Sequence, residues 1–291
     1  SFENAGYETR ATGPSDIVVI NTCAVTSRSA AKCRQAIRAA ARSGAKVLVT
    51  GCYSQVAHEE IADLPGVIGV TGVLNRSKLV EIANKALSDG DLIIDVEPHV
   101  KNALFEETPV REPSLTRAFL KIQEGCDDYC TYCIVPYARG PSRSRSLEDI
   151  ISEARSLVQR GYKEIILTGT HLGLYGRDFL QDACDPGGCT GRLEPNLASV
   201  VRSLAEIEGL LRLRISSLEP HDVTPELIDC FRYPQVCHHI HLPLQSGSNK
   251  ILRSMGRRYD TETFLRIVED VRKVAPDIGI SADIIVGFPG E

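Results

Sequence analysis

The sequence has no run of about 18 or more apolar residues, which excludes a membrane-spanning helix. It lacks an excess of positive charge: 33 Lys and Arg against 38 Asp and Glu leave a formal net charge of −5. That balance excludes a uniformly basic nucleic-acid binder, so any RNA affinity must come from local patches. Cysteines are too few for a disulfide scaffold, at ten in 291 residues. Their clustering fits a reducing, cytoplasmic compartment and metal chemistry. No signal peptide is visible. The chain starts at Ser1 without a methionine and stops inside a strand-and-loop run ending at Glu291. Both ends are therefore expected to be cuts from a longer protein.

What is present is organised around one loop, Gly125-Cys126-Asp127-Asp128-Tyr129-Cys130-Thr131-Tyr132-Cys133. Its cysteines have the spacing C-x3-C-x2-C and follow an alternating, strand-like run at Phe119–Gln123. Such a loop can curl three thiolates around one inorganic centre. Thiolates are the usual ligands of iron–sulfur clusters, and a four-iron cubane needs four. Three leave one iron open to a ligand that is not protein. A structural zinc site would close its shell with four protein ligands, typically two C-x2-C pairs.

The first domain is expected over residues 1–100. Strand-like runs at Ile17–Ile20, Lys46–Thr50 and Val67–Val70 alternate with helical sequence near 26–42 and 76–87, which predicts a small parallel α/β sheet. Cys23 and Cys52 each directly follow a strand, at the edge where open α/β sheets bind ligands. They suit either a second metal site short of ligands or two small core residues. No acidic residue lies between Asp16 and Glu59, and Arg28, Lys32, Arg34, Arg38 and Arg42 fall on one helical arc. That stripe suits a solvated face or a guide for a phosphate backbone.

Residues 101–117 read as a linker with Pro109 and Pro113, and 118–291 as a second domain. Strands are expected at 118–123, 164–168, 211–216, 238–242 and 279–286. Helices are expected near 147–160, 196–207, 224–232, 248–254 and 261–274. This is the rhythm of a (β/α) barrel cut off before it closes. Polar clusters sit at the strand ends: Thr168-Gly169-Thr170-His171, Ser216-Ser217-Leu218-Glu219, Gln245-Ser246-Gly247 and Asp283. Glycine admits a close backbone approach, and Ser, Gln or Asp can hold a ribose or carboxylate; ordinary loop capping is the alternative. Arg139, Arg143 and Arg145, without an acid among them, can pair phosphates, and Lys250, Arg253, Arg257 and Arg258 form a second basic run. His238, His239 and His241 read as strand residues, with only the last two on one face. Cys184 and Cys189 bracket a turn in an exposed insertion, and Cys230 and Cys237 read as packing residues.

The C-x3-C-x-aromatic-C loop resembles the cluster loop of radical S-adenosylmethionine (SAM) enzymes. Asn21-Thr22-Cys23-Ala24-Val25-Thr26 and Thr50-Gly51-Cys52-Tyr53-Ser54-Gln55 resemble the N-terminal domain of the methylthiotransferases within that superfamily. The resemblance implies an α/β fold with a partial barrel of six strands. It implies a [4Fe-4S] cluster on Cys126, Cys130 and Cys133, whose open iron binds SAM and cleaves it to a 5′-deoxyadenosyl radical. Tyr132 would lie near the adenine, where stacking is worth roughly 1–3 kcal/mol. Thr168, Gly169 and Thr170 would approach the SAM amino group, with Ser217, Glu219, Gln245 and Asp283 at neighbouring strand ends. A second [4Fe-4S] cluster would use Cys23 and Cys52, its third family cysteine lying upstream of Ser1; Cys33, mid-helix, is expected to be structural. Lys121–Cys126, Tyr137–Pro141, Lys32–Gln35 and Thr168–Gly173 are most similar to the branch acting on N6-threonylcarbamoyladenosine at position 37 of tRNA. The implied partners are tRNA, SAM, a low-potential electron donor and a sulfur source, with no membrane. Alternatives are a sister branch acting on isopentenyladenosine tRNA or a ribosomal protein, and a non-catalytic iron–sulfur electron-transfer or structural protein.

Overall fold

The computed structural model describes residues 2–11, 13–74, 76–100, 105, 116–179 and 195–291. Most of the expected linker, and Cys184 and Cys189, lie outside them. Internal contacts divide the chain into two units: residues 1–100 with 133–140, and residues 101–132 with 141–291.

In the first unit four parallel strands stand in the order β1 (Ile17–Thr22), β2 (Lys46–Gly51), β3 (Val67–Thr71), β4 (Ile93–Asp95). The central strand β2 is buried from Val47 onward. Its period of two sends Val47 and Val49 to one face, with Ile37, Tyr53, Ile61 and Val70, and Leu48 to the other, with Ile82 and Ala83. Helix α1 (Ser27–Arg42) begins where expected, because the Thr26 hydroxyl accepts the Ser29 N–H at 3.0 Å. The helix expected at 76–87 runs from Leu79 to Asp89, behind a 3₁₀ turn at Arg76–Lys78. Strand β4 was not expected; three residues carry too little period to read.

The second unit builds parallel strands β5 (Ala118–Glu124), β7 (Glu164–Gly169) and β8 (Arg212–Ile215), with the two-residue strand β6 (Arg143–Ser144) antiparallel on the edge of β5. A second parallel pair joins β9 (His239–His241) to β10 (Gly279–Ser281), and a bridge between Leu213 and Val236 links the two sheets. Among the described residues the strand succession stays open and does not close a barrel. Helix Leu147–Gln159 buries Ile150, Ala154 and Leu157 at helical spacing, capped by Ser146, whose hydroxyl accepts the Asp149 N–H at 3.1 Å. Strand β10 is shorter than expected. Beyond Ser281 the pairing reduces to one bridge between Gln245 and Ile284, at a point where Gln245 has φ +64°.

Candidate metal centre

Cys126 and Cys130 lie on the loop that leaves the carboxyl end of β5. Gln123, fully buried on that strand, fixes the loop start. Its Nε2 donates to the carbonyls of Glu124 at 3.1 Å and Gly125 at 2.9 Å and to the Ser142 hydroxyl at 2.9 Å. Its Oε1 accepts the His171 N–H at 2.7 Å, tying the loop to the end of β7. Gly169 is register-paired with Gln123, and a Cβ there would stand 3.0 Å from Gln123 Oε1. The backbone turns at Gly125 (φ +83°) and again at Tyr129 (φ +48°), and the Asp127 carboxylate accepts the Ser142 N–H at 3.1 Å.

Each of these two thiols faces a nitrogen cation. His171 Nδ1 stands 3.4 Å from Cys126 Sγ, and His171 Nε2 is 2.5 Å from Asp222 Oδ2. Burial pushes the His171 imidazole down, but the hydrogen bonds to Asp222 and Cys126 outweigh it and lift it to about 10. Burial likewise raises the Asp222 carboxyl, and the His171 bond overcomes this and holds it below the usual range. Arg177 is the second cation on Asp222. On the other thiol, Arg257 Nη1 donates to Cys130 Sγ at 3.3 Å. Burial nevertheless keeps the Cys130 thiol above its ordinary value, against the pull of Arg257.

Parallel pairing brings the predicted strand-end residues to the same edge as this loop. Thr168 and Gly169 end β7, Ser217 and Glu219 follow β8, Gln245 follows β9 and Asp283 follows β10. Thr170, Ser217 and Asp283 are exposed, and Glu219 is in an ion pair with Arg257. His239 and His241 share one face, as expected. Ser281 Oγ lies 3.2 Å from His239 Nε2 and 3.1 Å from His241 Nδ1.

Cys126, Asp128 and His171 bring donor atoms within 4.8 Å of one another, and so do His171, His221 and Asp222. Ligands of one tetrahedral ion at about 2.0–2.1 Å stand roughly 3.3 Å apart. The 2.5 Å contact of His171 with Asp222 is therefore a hydrogen bond with no room for a shared ion. Asp128, His221 and Asp222 were missed by sequence reading. The only signal was the burial of charged residues at strand ends, which a single sequence does not display.

The first unit holds Cys23 and Cys52 directly after register-paired Thr22 and Gly51. Cys52 is buried and Cys23 exposed. Gly51 has φ +105°, and a Cβ on it would meet Asn21 Oδ1 and the Thr22 carbonyl at 2.5 Å. The Ser54 hydroxyl donates to the Thr71 carbonyl at 2.7 Å, and Gln55 Oε1 accepts the Val73 N–H at 2.9 Å, which explains the Cys-Tyr-Ser-Gln run. Cys33 Sγ accepts the Cys23 N–H at 3.5 Å from within α1, a packing role. Cys133 opens the segment to Gly140 that belongs to this unit.

Of the arginine triplet expected as a phosphate patch, only Arg139 keeps partial exposure. Arg139 Nε donates to Cys52 Sγ at 2.9 Å. Arg143 and Arg145 are 5% and 8% exposed, with Arg145 in an ion pair with Glu153. Pairing of β6 on β5 carries both inward, a consequence of a strand too short to read. Arg257, from the second basic run, is buried as well, its side chain 4% exposed.

The residues present fit a thiolate-bound cluster. Cys126 and Cys130 are unpaired, partly buried and met by N–H groups aimed at sulfur, the arrangement that stabilises thiolate ligands. Cys52 is similarly met by Arg139.

A family model for the radical SAM superfamily matches residues 120–291, and one for the uncharacterized protein family UPF0004 matches residues 1–72. The chain is 40% identical, over its full length and 63% of the relative's, to the threonylcarbamoyladenosine tRNA methylthiotransferase MtaB of Bacillus subtilis. It is 39% identical to a tRNA-2-methylthio-N(6)-dimethylallyladenosine synthase of Thermoanaerobacter, across all of this chain and 61% of that protein. The chain thus spans less than two thirds of these curated relatives. Among solved structures, the radical SAM methyltransferase TsrM from Kitasatospora setae superposes with a TM-score of 0.64 at 16% identity, covering 94% of this chain and 57% of that one. The cobalamin-dependent SAM radical enzyme OxsB follows with 0.60 at 15%, covering 93% and 41%. At such identities the likeness is one of fold.

Proposed function

This chain belongs to the radical SAM superfamily, and from that premise we propose that it carries the radical chemistry of a tRNA methylthiotransferase. The proposed reaction replaces the C2 hydrogen of N6-threonylcarbamoyladenosine at position 37 with a methylthio group. The observation that carries this reading is the match along 100% of the chain to a threonylcarbamoyladenosine tRNA methylthiotransferase. A [4Fe-4S] cluster held on the C-x3-C-x2-C loop would supply the electron for reductive cleavage of SAM.

Cys126, Cys130 and Cys133 would hold that cluster, and Cys23 and Cys52 two corners of a second one. The protein's own part is to hold and orient. Gln123 and Gly125 set the loop, while His171 and Arg257 offer N–H groups to its sulfurs. Tyr132, 40% exposed, is proposed to lie against the adenine. Thr168, Gly169, Thr170, Ser217, Gln245 and Asp283 are proposed for SAM because they end parallel strands on one edge. Partners would be tRNA, an electron donor and a sulfur source, in the cytoplasm. Among the described residues no helix is long and apolar enough to cross a membrane.

A second reading, methylthiolation of dimethylallyladenosine, is favoured by the 39% identity to a synthase of that type. Mass spectrometry of tRNA nucleosides from a deletion strain separates the two. We expect the 2-methylthio-threonylcarbamoyl nucleoside to vanish and to return with the wild-type gene but not with Cys130→Ala. Loss of the dimethylallyl product alone would sink the substrate assignment.

A further inference from the structure

Arg257 was grouped by sequence with surface basic residues, yet its guanidinium is almost fully buried and every arm is occupied. Nη1 reaches Cys130 Sγ at 3.3 Å and the Tyr132 hydroxyl at 3.4 Å. Nη2 is bound by Glu219, and Nε donates to the Tyr259 hydroxyl at 3.1 Å. Tyr259 is itself anchored, donating to the Pro243 carbonyl at 2.6 Å and stacking its ring 5.0 Å under the cation. The backbone supports the same contact. Thr131 N–H donates to the Met255 carbonyl at 3.0 Å, and the Thr131 hydroxyl to the Ser254 carbonyl at 3.0 Å. Gly256, at φ +74°, reverses the chain so that Arg257 returns toward the loop.

We propose that Arg257 is a positioning residue for the iron–sulfur centre, fixing the Cys130 sulfur and the Tyr132 ring and raising the centre's reduction potential through its N–H bond to sulfur. A donor on a ligand sulfur, carrying fixed positive charge, favours the reduced, more negative cluster. An arginine suits the task because its fork is planar and permanently charged, so one arm can face sulfur while the other is held by Glu219. Glu219, expected at a SAM site, thereby acts on the centre through Arg257. The inference rests on the cluster reading above.

The test uses the full-length protein, reconstituted anaerobically in a Cys23→Ala/Cys52→Ala background so that the centre on the C-x3-C-x2-C loop is measured alone. Iron and sulfide per chain are counted first. A background chain that loads none sinks the cluster reading itself, and this proposal with it. Reduction potential is then followed by electron paramagnetic resonance without SAM, together with iron loss to a chelator. Arg257→Met should shift the potential to more negative values and lose iron about tenfold faster. Arg257→Lys, which keeps charge and a donor but not the fork, should fall between. The double variant Arg257→Met/Glu219→Gln removes the orphaned carboxylate, and its potential should stay below that of the background. If Arg257→Met fails to load, a lowered potential in Arg257→Lys carries the same conclusion. Full loading of Arg257→Met with unchanged potential and iron loss overturns the proposal, as does return of the double variant to the background potential.

Discussion

Asp222 is the residue on which the buried charge at the strand ends converges. Its side chain is fully buried and accepts from His171 and Arg177, so its negative charge is balanced by hydrogen-bonded cations. Removing one partner of such a pair leaves an uncompensated buried charge, at a cost of about 3–5 kcal/mol. Asp222→Ala is therefore expected to lower the urea-unfolding free energy by about 3–5 kcal/mol. Gly173 makes the arrangement possible. A Cβ there would stand 2.2 Å from Asp222 Cβ, inside any tolerable contact. Gly173→Ala should cost about 1–3 kcal/mol in the same measurement, as overpacked sites do. Neither effect was visible beforehand, because Gly173 and Asp222 are 49 positions apart and only the fold brings them together.

At the scale of elements, the long periodic segments were legible and the short ones were not. Helix α1, the helix at 147–159 and strands β1, β2, β5 and β7 begin and end near their expected limits because caps and alternation mark them. Strands β4 and β6 carry two or three residues and no pattern, and β6 is the reason Arg143 and Arg145 face inward. The placement of Cys23 and Cys52 was legible for a different reason: strand periodicity and sheet order together fix which residue follows each carboxyl end. Gly51, at the end of β2, shows how tightly that edge is built. A side chain there would have to adopt φ +105° and would also collide with Asn21 and Thr22. Gly51→Ala in the full-length protein is expected to displace Cys52. Its iron content after reconstitution should fall to that of Cys52→Ala, while the folded fraction by circular dichroism is retained. Iron equal to wild type would show that the Cys52 position does not bear a cluster ligand.

For the whole molecule, a count of inorganic centres decides between the readings. A methylthiotransferase needs one centre to cleave SAM and, on the proposed reading, another to carry sulfur, each in its own unit of the chain. A simple electron carrier needs neither an open iron nor two centres. Cys126 and Cys130 follow β5 in the second unit, while Cys23, Cys52 and Cys133 belong to the first. On that reading, affinity for tRNA would not rest on Arg143 and Arg145, which are buried. The full-length protein, reconstituted without oxygen, should hold about eight irons per chain, four for each cubane. Cys126→Ala with Cys130→Ala and Cys133→Ala should remove about half and abolish 5′-deoxyadenosine release from SAM. Cys23→Ala with Cys52→Ala should remove the other half, keep SAM cleavage, and stop methylthio transfer. Four irons in the wild type, lost only with the Cys126 set, would leave Cys23 and Cys52 as core residues and require the sulfur to arrive by another route.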